Sequence, residues 1–348
     1  MLLLKKDESQ PVYKQLREML AGEIASGELS PGDRIYTESK LADRFQVSRT
    51  TIRRALGGLE REGLIVRFPG KGTFINHSAG KTSSLPRFLI GINFFVNFSM
   101  STFYGPLTEG ILAEAEKSNI LIRVITPQEY ENQVPEDING FLFTGKLKTD
   151  SEIYRRIAKG ILPAVGFNSR INKNVSFIGV DNYEESRRGV EFLIRRGHRK
   201  IGFYGNSPAT EASRDRYQGY LDAMKEAGLK TEERNIHFFA SDTNRYTQGM
   251  DYLQNADVDS VFVSLAPVFT SLLYAMNKLR ISTKDDLQLL CFDNLEAYDL
   301  DWPGVAYIKM PLQLIGERMM AALRQKLILN DRAPVVNEVF KAEIKIKD

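Results

Sequence analysis

The sequence is poor in the residues that carry most redox and metal chemistry. Cys291 is the single cysteine, so neither an internal disulfide nor a thiolate cluster can form, in agreement with a reducing compartment. The three histidines, His77, His198 and His237, have no spacing that suits a metal site or a catalytic triad. No apolar run approaches the ~20 residues needed to cross a bilayer. Leu2, Leu3 and Leu4 give way at once to Lys5, Lys6 and Asp7, without the basic start or apolar stretch of a signal peptide. Phosphate loops are missing too: Gly145-Lys146 is followed by Leu147 where Ser or Thr must hold magnesium, and Gly80-Lys81-Thr82 has Ile75 where the leading glycine belongs. A cytoplasmic, non-enzymatic chain without metal or cofactor is expected. Its 348 residues call for two or three packing units.

What is there begins with charge. The net +3 lies wholly in residues 1–80, where 13 Lys/Arg face 10 Asp/Glu, and the other 34 of each sign cancel. From Arg44 to Lys71 seven basic residues meet only Glu60 and Glu62. Such a local field attracts phosphate.

Apolar spacing places that charge on elements. Val12, Leu16, Met19, Leu20 and Ile24 recur at helical intervals until Gly27 and Pro31-Gly32 end the pattern. Thr37 is expected to cap a short helix with Leu41, Ala42 and Phe45, Gln46-Val47 to turn, and Ser48 to cap a third helix. There Ile52, Ala55, Leu56 and Leu59 make the buried stripe and leave Arg49, Thr50, Arg53 and Arg54 outside near its start, the part of a recognition helix that reaches base edges. Leu64 to Phe68 and Thr73 to Ile75 read as strands about a Pro69-Gly70-Lys71-Gly72 turn, a wing whose tip is nearly free of side chains except Lys71.

Residues Pro11 to Ile75 resemble the winged helix-turn-helix domain of GntR-family regulators, on Gly32-Asp33-Arg34, Glu38, Leu41-Ala42, Val47 through Leu56, Leu59, Glu62-Gly63-Leu64 and Gly70 through Phe74. The resemblance implies that Arg49 and Arg53 contact bases or phosphates and that the tip Gly70–Gly72 enters the minor groove. The DNA-contacting set is accordingly Arg34, Thr37, Ser48, Arg49, Thr50, Thr51, Arg53, Arg54, Arg67, Gly70, Lys71 and Gly72. Where many members carry arginine at the second position after the cap, this chain has Ser39.

The small, polar stretch Asn76 to Ser84 has no periodicity and reads as a linker, which divides the chain into a DNA-binding domain 1–76, a linker 77–86 and a larger domain 87–348. Beyond it, the runs at 88–92, 120–122, 141–143, 201–204, 261–263 and 289–292 alternate with helical stretches, the α/β pattern of parallel sheets wrapped by helices. Gly179 through Tyr183, Leu193 through Phe203, Arg214 through Tyr220 and Cys291-Phe292-Asp293-Asn294 resemble the effector domain of LacI/GalR-type repressors, over residues 88–330. That resemblance implies the two-lobed, periplasmic-binding-protein-like fold, with hinges near 179–181 and 306–310. It also implies a cleft in which Arg216, Asp293 and Asn168 are the polar ligand contacts, and Phe103, Tyr104 and Trp302 the stacking surfaces. The Asn-Asp pair usual after the 261–263 strand is replaced by Ser264-Leu265-Ala266-Pro267, which points to a pentose or deoxy sugar.

GntR-type reader and LacI-type effector domain together, an AraR-like architecture, imply a homodimeric repressor that binds an inverted-repeat operator in double-stranded DNA and is released by a monosaccharide. Two alternatives stand beside it: a regulator whose purine-like ligand is a corepressor, and a sugar-binding module with no role at genes.

Overall fold

The computed structural model describes residues 11–68, 70–76, 88–93, 101–118, 120–132, 134–240, 244–296, 303–329 and 333–346. The expected linker and Trp302 lie outside the described residues, as does the side chain of Phe103. The chain forms two compact units, one of residues 1–88 with 119–121 and 324–333, the other of the remainder.

In the first unit α1 (Val12–Ala25), α2 (Glu38–Phe45) and α3 (Arg49–Arg61) precede the antiparallel hairpin of β1 (Ile65–Phe68) and β2 (Gly72–Ile75), paired from Ile65↔Ile75 to Phe68↔Gly72. The apolar stripes meet in one core: Leu16, Leu20 and Ile24 of α1, Leu41 and Phe45 of α2, and Ile52, Ala55, Leu56 and Leu59 of α3. Full burial of one such large side chain contributes about 1.5–3 kcal/mol. Val12, expected on the stripe, is 37% exposed, because the buried face starts a turn later at Leu16. The caps are where the side-chain chemistry puts them: Thr37 Oγ1 accepts from Lys40 N at 3.3 Å and Ser48 Oγ from Thr51 N at 3.1 Å. Gln46 closes α2 with φ +52°, the left-handed residue that makes the turn tight.

The second unit holds two six-stranded sheets. The first contains β3 (Leu89–Asn93), β4 (Leu121–Val124), β5 (Gly140–Thr144), β6 (Ala164–Phe167), β7 (Ser176–Val180) and β13 (Asn337–Phe340), in the order β13-β7-β6-β5-β3-β4. The second contains β8 (Ile201–Asn206), β9 (Ile236–Phe239), β10 (Ser260–Val263), β11 (Gln288–Cys291), β12 (Val305–Lys309) and β14 (Glu343–Ile346), in the order β14-β12-β11-β10-β8-β9. Strands covered on both faces read as unbroken apolar runs. Every residue of β5, β6, β10 and β11 is buried, whereas edge strands β13 and β14 alternate exposed and half-buried. Helices α4 (Ser101–Lys117), α5 (Pro127–Asn132) and α6 (Glu152–Ala158) follow β3, β4 and β5, α7 (Asn182–Arg195) and α8 (Glu211–Glu226) pack as a pair in the second lobe, and α9 (Arg245–Asn255) and α10 (Ala266–Leu279) pack as another. A Cβ at Gly219 of α8 would stand 2.4 Å from Tyr183 O, so only glycine permits that approach.

The chain crosses between lobes three times: from β7 into α7, from β12 into α11 (Leu312–Leu329), and from β13 into β14. The first two lie at or beside the expected hinges. The third, at Lys341-Ala342, is tied to the start of α7, where Glu185 Oε1 accepts from Ala342 N at 3.1 Å.

Candidate nucleic-acid interface and effector cleft

The start of α3 presents Arg49, Thr50, Arg53 and Arg54, all exposed, opposite the Ile52/Ala55/Leu56 stripe. They are not loose. Arg49 NH2 donates to Ser39 Oγ at 2.9 Å, so the serine at the position of a usual arginine orients a neighbouring one. Glu38, the first residue of α2, accepts from Arg53 Nε at 3.4 Å and NH2 at 3.0 Å and also pairs with Arg67 at 3.6 Å. Hydrogen bonding and proximity to that carboxylate raise the Arg53 guanidinium above its ordinary range. Sequence reading gave Glu38 no contact role, and its proximity to two arginines, 15 and 29 positions on, is written only in the fold.

The wing keeps its backbone open. Gly70 has φ +73° and Gly72 φ +122°, and a Cβ on Gly72 would sit 2.7 Å from Arg34 Nε. Arg34 therefore lies against the wing and pairs by a backbone bridge with Phe74. Lys71 Nζ donates to Gln325 Oε1 at 3.0 Å within the same unit, where Val66 and Phe68 also pack with Ile328, Leu329 and Ala333. Thr37, Ser48 and Thr51 serve the two caps described above.

In the second unit a cavity of about 340 Å³ opens between the carboxyl ends of the two sheets. That volume is at the low end of the ~300–1,000 Å³ of small-molecule sites. Tyr104, Thr144, Lys146, Asn168 and Arg170 line it from the first lobe, and Thr210, Glu211, Arg214, Arg216 and Leu265 from the second. Thr144 Oγ1 donates to Asn93 O at 3.0 Å, so the Tyr104 hydroxyl, 3.2 Å away, is the donor in their bond. Asn168 has φ +49°, and its Oδ1 accepts from Val180 N at 3.0 Å at the end of β7. Its Nδ2 is thus left as the donor. A Cβ at Gly179 would come within 2.3 Å of that Oδ1.

Arg216 is 9% exposed and held on three sides: Nε donates to Asn182 Oδ1 at 2.8 Å, NH1 to Ser264 O at 2.6 Å, and the guanidinium lies 3.8 Å from the centre of the Phe292 ring. Burial pushes it below its ordinary range, and the nearby Asp293 opposes that. Asp293 is 4% exposed and is not among the residues lining the cavity; its Oδ2 accepts from Ala266 N at 2.7 Å. Burial raises its carboxyl to about 6 against the pull of Arg216. The Ser264-Leu265-Ala266 segment thus supplies a backbone carbonyl and a backbone N–H to the Arg216–Asp293 pair where the family offers side chains. Of the expected contacts, Tyr104, Asn168 and Arg216 come together at the cavity. Lys146, Arg170, Thr210, Glu211 and Arg214 were not expected as contacts, although Arg214 opens the run that carries the effector-domain resemblance and Thr210-Glu211 reads as a helix cap.

His198 is structural: its Nε2 lies 2.9 Å from Gln288 Oε1 and its Nδ1 3.2 Å from Asp259. Among the described residues no cluster of His, Cys, Asp and Glu could hold a metal, and no helix is long and apolar enough to cross a membrane.

Residues 12–75 match the bacterial regulatory proteins of the gntR family, and residues 190–347 match the periplasmic binding protein-like domain. The arabinose metabolism transcriptional repressor of Geobacillus stearothermophilus is 23% identical over 99% of this chain and 98% of its own. The HTH-type transcriptional repressor NagR of Bacillus subtilis (strain 168) is 40% identical over 21% of this chain, which spans only 30% of NagR. The crystal structure of the transcription regulator CcpA of Lactococcus lactis shares the fold, with a TM-score of 0.65 and 20% identity over 75% of this chain and 98% of that one. The chain therefore joins a DNA-binding domain of the gntR family of bacterial regulatory proteins to a periplasmic-binding-protein-like domain, and like its relatives it is a transcription regulator and not an enzyme.

Proposed function

We propose that this chain represses sugar-utilisation genes, holding an inverted-repeat operator as a cytoplasmic homodimer and releasing it when a monosaccharide fills the cleft. Arg49, Thr50, Arg53 and Arg54 meet base edges and phosphates. Arg34, Thr37, Ser48, Thr51 and Arg67 support them, and Gly70, Lys71 and Gly72 bring the wing to the minor groove. One short helix and one hairpin cover too little DNA for a specific site, so two copies related by a two-fold axis are required.

The observation that carries this reading is the fixed Arg216 in a monosaccharide-sized cavity faced by Asn168 and Tyr104 from the other lobe. A ligand bridging them favours one interlobe angle, and that angle sets the separation of two DNA readers. The similarity to an arabinose metabolism repressor along nearly the whole chain supports the sugar class. The small cavity and the loss of side-chain contacts at Ser264 favour a pentose or deoxy sugar. Asp293 acts through Arg216.

The test is operator binding by fluorescence anisotropy, on a duplex selected from random sequence, with a monosaccharide panel. A sugar that weakens binding about tenfold or more is expected, with Arg216→Ala binding DNA normally and ignoring the sugar. Light scattering should give the mass of two chains. A sugar that tightens binding would make the ligand a corepressor, and no effect of any sugar would remove the reading.

A further inference from the structure

The wall of the cleft is cationic. Lys146, Arg170, Arg214 and Arg216 line it against Glu211, the one carboxylate among the described lining residues. That carboxylate is already engaged: Glu211 accepts from Arg170 NH1 at 3.0 Å and from Arg170 N at 3.3 Å, while the same guanidinium lies 3.6 Å from the centre of the Phe177 ring. Arg216 has buried Asp293 behind it. Two cations remain. Lys146 follows β5 in the first lobe and Arg214 sits in the first turn of α8 in the second; both are exposed, neither side chain has a hydrogen bond or salt bridge among the described residues, and the charge of Arg214 is felt by the neighbouring Asp215 carboxyl.

The start of α8 adds to the same sign. Thr210 Oγ1 takes the Ser213 N–H at 3.1 Å, and the N–H groups of Glu211 and Ala212, two residues of the cavity lining, have no partner within the helix. A helix of 16 residues places a partial positive charge at that end. The two cations and the helix start therefore favour negative charge beside the buried arginine. A neutral sugar uses Arg216 but gains little from the other two.

We infer that the effector is a monosaccharide-sized anion, a sugar bearing a phosphate ester or a carboxylate, whose ring contacts Arg216 and Asn168 and whose charge is met by Lys146, Arg214 and the start of α8. This rests on the cleft being the sugar site, and it restricts what enters it. Phosphate and carboxylate share the chemistry of an oxyanion taking charge-assisted hydrogen bonds from cations and N–H groups.

The experiment is calorimetric titration of the full chain with pentoses and hexoses, each as neutral sugar, terminal phosphate ester and sugar acid, at two salt concentrations. One anionic form is expected to bind about tenfold or more tighter than its neutral parent, with an affinity that falls as salt rises. Which ester or acid binds identifies the source of the charge. Lys146→Gln and Arg214→Gln should each weaken that anion about fivefold and its neutral parent less than about twofold. A neutral sugar binding as tightly as its charged forms, with Arg216→Ala abolishing it, overturns the charge and leaves the cleft as the sugar site. An anion held equally by both variants also overturns the charge. A panel in which nothing binds overturns both readings.

Discussion

Asn182 Oδ1 accepts the Arg216 Nε proton at 2.8 Å, and Asn182 stands two residues past the end of β7, where the chain first leaves one lobe for the other. The cavity-lining guanidinium is thus fastened to an interlobe crossing. Asn182→Ala should free it and weaken effector binding about tenfold, the worth of a hydrogen bond to a charged group, while operator affinity without effector stays unchanged. Calorimetry and anisotropy on the same preparation check both halves.

On the proposed function, Arg53 and Lys71 act on DNA in different ways. Arg53→Ala should cost about 1–3 kcal/mol on the chosen operator and relax its specificity if the guanidinium reads a guanine edge. Lys71→Ala should weaken binding evenly across sequences and flatten the salt dependence. Affinities measured at several salt concentrations on matched and mismatched duplexes separate the two, and unchanged affinity in both variants would empty the assignment.

Asn168 allows a separation of backbone from side chain. Its φ of +49° costs an ordinary L-residue about 1–2 kcal/mol. Asn168→Gly should therefore keep the melting temperature better than Asn168→Ala does, while both lose the bond to Val180 and weaken the effector. Equal melting temperatures for the two variants would contradict the strain argument.

Asp293 gives a pH signature. Burial raises its carboxyl to about 6 in the folded chain from an ordinary 3.8, so between those values the folded state holds a proton that the unfolded state has released. Its contribution to stability then falls as pH rises through that window and is lowest above pH 6 or so. Relative to Asp293→Asn, which does not titrate, the wild-type chain should lose about 2 kcal/mol between pH 4 and pH 7. Denaturation of both proteins across that range measures it, and a constant difference would refute the raised value.

Much of this was legible in the chain itself, where local chemistry decides. Thr37 and Ser48 announce their caps, the Leu16/Leu20/Ile24 and Ile52/Leu56/Leu59 stripes announce their helices, and strands buried on both faces are unbroken apolar runs. The β13–β14 crossover was not legible, because edge strands alternate weakly and sit at the end of the chain. Neither was the place of Asp293: the family position makes it a ligand contact, but a backbone N–H from Ala266 claims its carboxylate away from the cavity. Glu38 and Arg214 show the same limit, since a charge pair or an unpaired charge is a property of distance in space.

Coupling between cleft and DNA is the claim on which the rest depends. If sugar lowers operator affinity, operator must lower sugar affinity by the same factor, with couplings of about 1–3 kcal/mol typical. Calorimetric titration of the effector into the chain, alone and saturated with operator, measures this directly. The account requires weaker effector binding in the presence of operator, by the factor found for DNA release. Equal effector affinity in both titrations would leave the two domains uncoupled and contradict it.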